Sequence, residues 1–117
     1  MGDEPVPLSY TEWKLVELDG EPLELVGQER RPTLVLDLEE SYVSGSGGVN
    51  RLMGTFALSE SELRFGPLAT TLMAGPEDAV ARERAFLDAL ARVTSFERTD
   101  RTLTLLAGNT AVARLVC

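Results

Sequence analysis

The sequence predicts a β-rich α+β domain, a small antiparallel cracked β-barrel of about seven to eight strands with one α-helix packed against it. Two observations predict this fold. Along most of the 117 residues, short apolar segments with a period of two are separated by turn residues, as in antiparallel strands. One later stretch instead repeats apolar residues every three to four positions, as an amphipathic helix does. Several strands that precede and follow a single helix along the chain favour a closed or cracked barrel.

The chain is long enough for one domain, which we predict at 10–117 after a proline-containing extended leader at 1–9. Five strands are predicted before the helix, at 13–18, 33–38, 42–46, 53–58 and 62–65. The segment 33–38 alternates most clearly, with three leucines on one face. A polar segment bracketed by prolines, 21–32, predicts a loop with a short extended piece at 23–26.

The helix is predicted at 76–94. The stripe that predicts it consists of residues three and four positions apart: Ala79, Glu83, Phe86, Leu87, Leu90 and Val93. Pro76 suits the first helical turn, and the carboxylates of Glu77 and Asp78 complement the positive end of the helix dipole. Three further strands are predicted after the helix, at 95–99, 102–106 and 111–116.

The composition argues against several classes of partner and cofactor. Eleven basic and nineteen acidic residues give a net charge of −8, and this field repels phosphate backbones and anionic lipid surfaces. We therefore expect no nucleic-acid partner. The chain has no His and a single Cys, Cys117, so it lacks the usual zinc and copper ligands and cannot form an intramolecular disulfide. No metal or other cofactor is predicted, and no apolar run approaches the length of a membrane span.

The N-terminus bears on the compartment. The first seven residues lack the basic start and the apolar stretch of a signal peptide. The sequence as written therefore predicts a cytoplasmic protein. The alternative is a protein of the cell envelope whose export signal has been removed.

Three motifs invite a catalytic or binding interpretation, and each has a simpler structural one. The glycine-rich stretch 45–48 lacks the third glycine and the following helix of a dinucleotide fingerprint, so we interpret its glycines as sites of positive φ or close backbone approach. Ser44 and Ser46 have no His to activate them. The acidic residues within 37–40 lack the order of a calcium loop. No enzyme is therefore predicted.

Two segments resemble the signature stretches of the META domain, the family of the bacterial heat-shock protein HslJ. Residues 44–51 read S-G-S-G-G-V-N-R where the family typically has S-G-x-x-G-C-N, and residues 69–75 read A-T-T-L-M-A-G where it has T-x-M-A-C. Val49 and Gly75 therefore stand where the family usually has two cysteines, and we call them the former disulfide positions. The resemblance runs from about Trp13 to the C-terminus and implies a small β-barrel with one helix.

The resemblance implies an association with heat shock and drug tolerance but no settled molecular activity. We therefore predict a non-enzymatic, stress-associated binding module. It would present the loops 48–51 and 70–75 (the signature loops), or a small barrel cavity, to an unknown protein or a small apolar ligand. We expect a monomer or weak dimer. The alternative is a protein–protein interaction or inhibitor domain that uses an exposed strand edge or loop surface.

The candidate ligand or partner surface consists of Asn50, Arg51, Thr70, Thr71 and Met73. Each has a structural alternative. Asn50 can adopt left-handed backbone angles, and Arg51 can pair with a carboxylate, which is the interpretation we favour. The threonines can bond free backbone groups, and Met73 can fill a core gap. The resemblance further implies that Val49 and Gly75 are adjacent. The joint absence of the two cysteines is what we expect of a protein that works where thiols stay reduced.

Overall fold

The computed structural model describes residues 7–25 and 30–117. Within them the chain forms nine β-strands and one α-helix. In chain order these are β1 (Trp13–Leu18), β2 (Glu21–Pro22), β3 (Thr33–Asp37), β4 (Tyr42–Ser46), β5 (Arg51–Ser59), β6 (Glu62–Thr70), α1 (Glu77–Arg92), β7 (Ser95–Thr99), β8 (Thr102–Ala107) and β9 (Thr110–Val116).

The nine strands form one antiparallel sheet that curves into a ring. Its order is β2-β1-β3-β4-β5-β6-β7-β8-β9, and β1 also pairs with β9, which joins the two ends. The ring is thin at two seams, because β6 and β7 share one register pair, Glu62 with Ser95, and β1 and β3 share two. The predicted β-rich α+β class is confirmed, in a ring-like rather than strictly barrel arrangement.

The strand count within the described residues is nine rather than the predicted seven to eight. The additional strand is β2, which pairs with β1 inside the segment predicted as a loop. Asp19 and Gly20 connect them with φ values of 51° and 85°, as in a tight hairpin turn. This ladder needs only backbone N–H and C=O groups, whereas the prediction relied on apolar side chains. Residues 23–25 form no strand, and 26 lies outside the described residues.

Strands β5 and β6 are also longer than predicted, since β5 begins at Arg51 and β6 continues to Thr70. Two glycines and a proline interrupt the apolar period here, yet the ladder continues to the pair Leu52–Thr70. The first signature loop therefore leads directly into β5, and the second leaves directly from β6. Both loops thus lie at the same end of two neighbouring strands.

The division into a leader at 1–9 and a domain at 10–117 remains a prediction. The structure describes 7–9 of this leader. There Ser9 forms an isolated parallel bridge with Leu36 of β3, and its hydroxyl donates to the Leu36 carbonyl at 3.2 Å.

The helix α1 lies within the predicted 76–94, with Pro76 as its N-cap and Val93 as its C-cap. It packs across β6, β9, β1 and β8. Phe86 and Leu90 of its stripe are fully buried and join the inward-facing side chains of the strands in one continuous core. The inside of the ring is therefore occupied by the core. Within 7–25 and 30–117, no helix has the length and apolarity needed to cross a bilayer.

Candidate binding site

One acidic side chain is buried in the helix face that packs on the sheet. Glu83 is 6% exposed. Its Oε2 accepts hydrogen bonds from the backbone N–H groups of Val49 (2.9 Å) and Asn50 (2.5 Å), and its Oε1 accepts one from Asn50 Nδ2 (2.8 Å). A buried carboxylate is costly without partners, and bonds to a charged acceptor are stronger than neutral ones. These three contacts therefore fix α1 against the first signature loop.

The Asn50 amide joins the two signature loops to each other. Its Oδ1 accepts hydrogen bonds from Thr71 Oγ1 (2.9 Å) and from the Met73 N–H (2.6 Å), while its Nδ2 donates to Glu83. The Arg51 N–H donates to Thr71 Oγ1, and the Thr71 N–H donates to the Arg51 carbonyl, both at 3.1 Å. One network of hydrogen bonds therefore runs from α1 through the first loop to the second.

The chemistry of this network restricts which side chains can form it. Every contact of the Glu83 carboxylate is with a donor, so a glutamine at this position would turn its NH₂ group towards a donor. Rotating the Asn50 amide to accept from that group would turn its own NH₂ towards the Met73 N–H. The observed arrangement therefore calls for a carboxylate at 83 together with an amide at 50.

Two glycines of the first signature stretch make room for the network. A Cβ added to Gly47 would lie 2.7 Å from Glu83 Oε2, so the carboxylate packs directly on the bare backbone. Gly48 has φ of 110°, which residues with side chains rarely adopt. The expected close approach and positive φ are thus both present. Asn50 itself does not have positive φ, so its structural part is played by its amide in the network and not by a left-handed backbone angle.

The five residues predicted to form a ligand or partner surface differ in where they point. Asn50 and Thr71 turn inward and take part in the network. Thr70 ends β6 and is half-buried. Arg51 and Met73 face outward. Arg51 forms no ion pair with any described residue, so the carboxylate partner that we favoured is not found there. Met73 is 61% exposed and does not fill a core gap.

The former disulfide positions are adjacent in the structure. A Cβ placed on Gly75 lies 3.6 Å from the Cβ of Val49, and 2.9 and 3.0 Å from its two Cγ atoms. Disulfide-bonded cysteines have Cβ atoms about 3.5–4.5 Å apart. The Val49 side chain therefore packs against the backbone of Gly75, in the place where a disulfide could link the two signature stretches.

Three open clefts meet around the signature loops. The largest, about 700 Å³, lies over the outer face of β4 and β5 and is lined in part by Arg30 and Arg51. A second, about 410 Å³, lies between the second loop and α1 and includes Leu72. A third, about 430 Å³, lies over the former disulfide positions. Met73 lines all three, and Leu72 is 97% exposed. The junction of the loops is therefore surrounded by accessible, partly apolar surface.

Sequence reasoning missed Glu83 as a site residue, although it counted this residue in the helical stripe. The missed signal is the presence of one acid among apolar residues on the face predicted to be buried, since such an acid must find donors. The described residues contain no group of three or more His, Cys, Asp or Glu side chains arranged to hold a metal ion. The carboxylate oxygens of Glu83 instead accept hydrogen bonds from groups of the protein itself.

These features define a class: a β-ring domain with one packed helix, in which a buried Glu–Asn–Thr network ties two loops together. The model of the META domain family matches residues 6–116, nearly the whole chain. The chain therefore belongs to the META domain family, as the two signature stretches predicted. This is not a known enzyme family. No curated protein sequence shows significant similarity to the chain.

Solved structures share the fold. The chain is similar to a protein from Burkholderia xenovorans solved by NMR, with 29% identity, a TM-score of 0.71, and coverage of 93% of this chain and 82% of that one. A second NMR structure has 22% identity and a TM-score of 0.68, covering 92% and 90%. The crystal structure of a DUF4847 family protein from Bacteroides vulgatus ATCC 8482 has 12% identity and a TM-score of 0.67, covering 93% of each chain. The last two likenesses concern the fold alone.

Proposed function

We propose that this protein is a non-enzymatic binding module that presents the junction of its two signature loops to a ligand or partner. One observation carries the proposal: the loops are held by the buried network of Glu83, Asn50 and Thr71, while Arg51 and Met73 next to them point into open clefts. Loops fixed before binding lose little conformational freedom on binding, which favours affinity. A network that only stabilised the fold would not need to leave a large apolar side chain and a cation exposed beside it.

The alternative of a cavity inside the ring receives less support. The side chains that face inward, together with the helix stripe, form one buried cluster. The clefts at the loop junction instead open to the surface and have volumes within the range of small-molecule sites. The proposed surface is therefore the loop junction, outside the ring.

A protein–protein interaction or inhibitor domain is a second candidate function. The observation that favours it is the pair of consecutive apolar side chains on the second loop, Leu72 and Met73, which are 97% and 61% exposed. Exposed apolar side chains at a loop tip are typical anchors for a partner. This function would use Leu72, whereas a ligand in the largest cleft would contact Arg51.

The compartment and the stress association belong to the same proposal. Val49 and Gly75 pack without a covalent link where the family usually has cysteines, which suits a compartment that keeps thiols reduced, such as the cytoplasm. The alternative is the cell envelope. A role in stress, implied by the family resemblance, predicts that cells lacking the protein grow more slowly after heat shock than complemented cells.

The proposal is tested by comparing single variants for recovery of a bound species. The protein, gently purified from its own cells, is analysed by native mass spectrometry. Arg51→Ala and Leu72→Ser are compared with Arg64→Ala, which removes an exposed arginine from the far end of the β5–β6 hairpin. We expect Arg64→Ala to retain the bound species and at least one junction variant to lose it, with melting temperatures unchanged. The proposal would be refuted if the bound species were recovered equally with all three variants, or if no variant retained it.

A further inference from the structure

The largest cleft differs in charge from the rest of the molecule. The chain has 19 acidic and 11 basic residues, a net charge of −8. Yet Arg30 and Arg51 line the cleft over β4 and β5, and none of the described acidic side chains does. On a protein with this excess of carboxylates, the described lining of this cleft is a local concentration of positive charge.

Neither arginine has its charge neutralised by a described residue. Elsewhere Arg92 pairs with Asp19 at 2.9 Å and Arg114 pairs with Glu17 at 3.0 Å. Arg30 and Arg51 form no such ion pair within 7–25 and 30–117, and both are exposed. Guanidinium groups offer several donors in a planar fork that matches carboxylate and phosphate oxygens. The cleft therefore holds two cationic donor groups that have no acidic partner among the residues the structure describes.

A hydroxyl group and two methionine side chains also line the cleft. Ser46 Oγ accepts a hydrogen bond from the Gly48 N–H at 3.0 Å, which leaves its own O–H free to donate into the cleft. Ser46 and Arg51 are register partners on β4 and β5 and therefore lie side by side. The apolar part of the lining includes Met53 and Met73, which are 36% and 61% exposed. One part of the cleft thus donates hydrogen bonds, and another offers flexible apolar contact.

We propose that this cleft binds a small amphiphilic anion, a carboxylate or phosphate group carried on an apolar body. The anionic group is held by Arg30 and Arg51 with the Ser46 hydroxyl, and the apolar body packs on Met53 and Met73. This inference rests on the proposed function and names its ligand class, in place of the small apolar ligand that the sequence alone suggested.

The volume of the cleft and the negative net charge of the protein favour a small ligand over a polyanion. A cleft of about 700 Å³ is within the range of small-molecule sites. A long polyanion would extend beyond the two arginines into the field of a protein with net charge −8. The ligand could come from solution or be a single lipid molecule with an acidic headgroup, because both carry the same chemistry.

The test is a titration of the ¹⁵N-labelled full chain followed by NMR. The probes are decanoate and decyl phosphate below their aggregation concentrations, with 1-decanol as the uncharged match. We expect the charged probes to shift amides of β4, β5 and the second signature loop, and to bind at least about tenfold more tightly than 1-decanol, the ratio that corresponds to one charge-assisted contact. Arg30→Ala and Arg51→Ala should each weaken binding about tenfold. Arg64→Ala should not change it.

A competition experiment identifies the source of the ligand, and several outcomes would overturn the inference. Vesicles of phosphatidylglycerol, but not of phosphatidylcholine, should compete with decyl phosphate if an acidic lipid is the source, and neither should compete if the source is soluble. Equal affinity for 1-decanol, or affinities unaffected by both arginine variants, would overturn the inference. It would also be overturned if neither charged probe bound. In that case, an Arg51-dependent bound species in native mass spectrometry would leave the proposed function standing with a different ligand class.

Discussion

The former disulfide positions give the sharpest prediction: the double change Val49→Cys, Gly75→Cys should close a disulfide. The Cβ–Cβ separation of 3.6 Å lies within the range that disulfides require. Gly75 is not among the glycines with positive φ, so a side chain there meets no backbone strain of that kind. The two changes also compensate each other. A Cβ at 75 lies only 2.9 and 3.0 Å from the Val49 Cγ atoms, and Val49→Cys removes both of those atoms.

The magnitude follows from the length of chain that the disulfide closes. Positions 49 and 75 are 26 residues apart, for which the chain-entropy model gives about 3.5 kcal/mol of stabilisation. Residual strain in the bridge should remove about 1 kcal/mol, whereas the lost valine packing is common to the oxidised and reduced forms and cancels. In a domain of this size each kcal/mol shifts Tm by about 4 °C. The oxidised double variant should therefore melt about 10 °C above its reduced form.

The assay compares oxidised and reduced protein in a Cys117→Ser background, so that the native thiol cannot interfere. Intact mass and thiol titration report closure, and thermal unfolding by circular dichroism reports stability. Val49→Cys and Gly75→Cys alone serve as controls. Gly75→Cys should be the more destabilised of the two, because it overpacks against Val49. A folded double variant that fails to close under mild oxidation, or that melts lower when oxidised, would refute the adjacency and with it the alignment to the family signatures.

Further predictions concern the network, the core, one tyrosine and the effect of chelators. Glu83→Gln should lower the free energy of unfolding by about 1–3 kcal/mol in urea titrations, because the new NH₂ group would face a hydrogen-bond donor in place of a carboxylate oxygen. An unchanged free energy of unfolding would contradict the network. Phe86→Ala should lower the free energy of unfolding by about 3–5 kcal/mol in the same assay. A loss below about 1 kcal/mol would mean that the phenyl group of Phe86 does not hold α1 to the sheet. The Tyr10 hydroxyl donates to Asp37 and Glu39, and these hydrogen bonds raise its pKa well above the usual tyrosine value. Its stabilising contribution is therefore present below that usual value and is lost as the pH rises through the folded-state pKa; absorbance titration should show a late ionisation that Tyr10→Phe removes. Chelators should leave Tm unchanged, and a lowered Tm would reveal a metal that the composition did not predict.

The fold was predictable where side-chain pattern and backbone pairing agree. The two leucines of β3, Leu34 and Leu36, are both buried and alternate with partly exposed residues, as a period of two requires, and the stripe of α1 faces the sheet. Prediction failed where pairing continues without an apolar pattern. The two-residue β2 and the extended ends of β5 and β6 are held by ladder hydrogen bonds, which leave no mark in the hydropathy of the sequence.

The meeting of the candidate residues was predictable from the sequence, whereas the hydrogen-bonded arrangement that they form was not. Four candidates, Asn50, Arg51, Thr71 and Met73, come together as the family signatures implied. Their division into inward and outward groups depends on Glu83, which is 33 positions from Asn50 in the chain and approaches it only when α1 docks. A pairing of this kind follows from the tertiary structure, and local patterns carry no information about it.

The two thin seams have a mechanical consequence. They divide the ring into one shell of β3 to β6, which carries both signature loops, and another of β7 to β9 with β1. The helix α1 packs on both shells, and its Glu83 is bonded to the first loop. When the shells separate and α1 stays with the shell of β7 to β9 and β1, the Glu83 hydrogen bonds break, so the first loop loses its support in the same step. A ligand that binds only the ordered loops would, by linkage, also hold the two shells together.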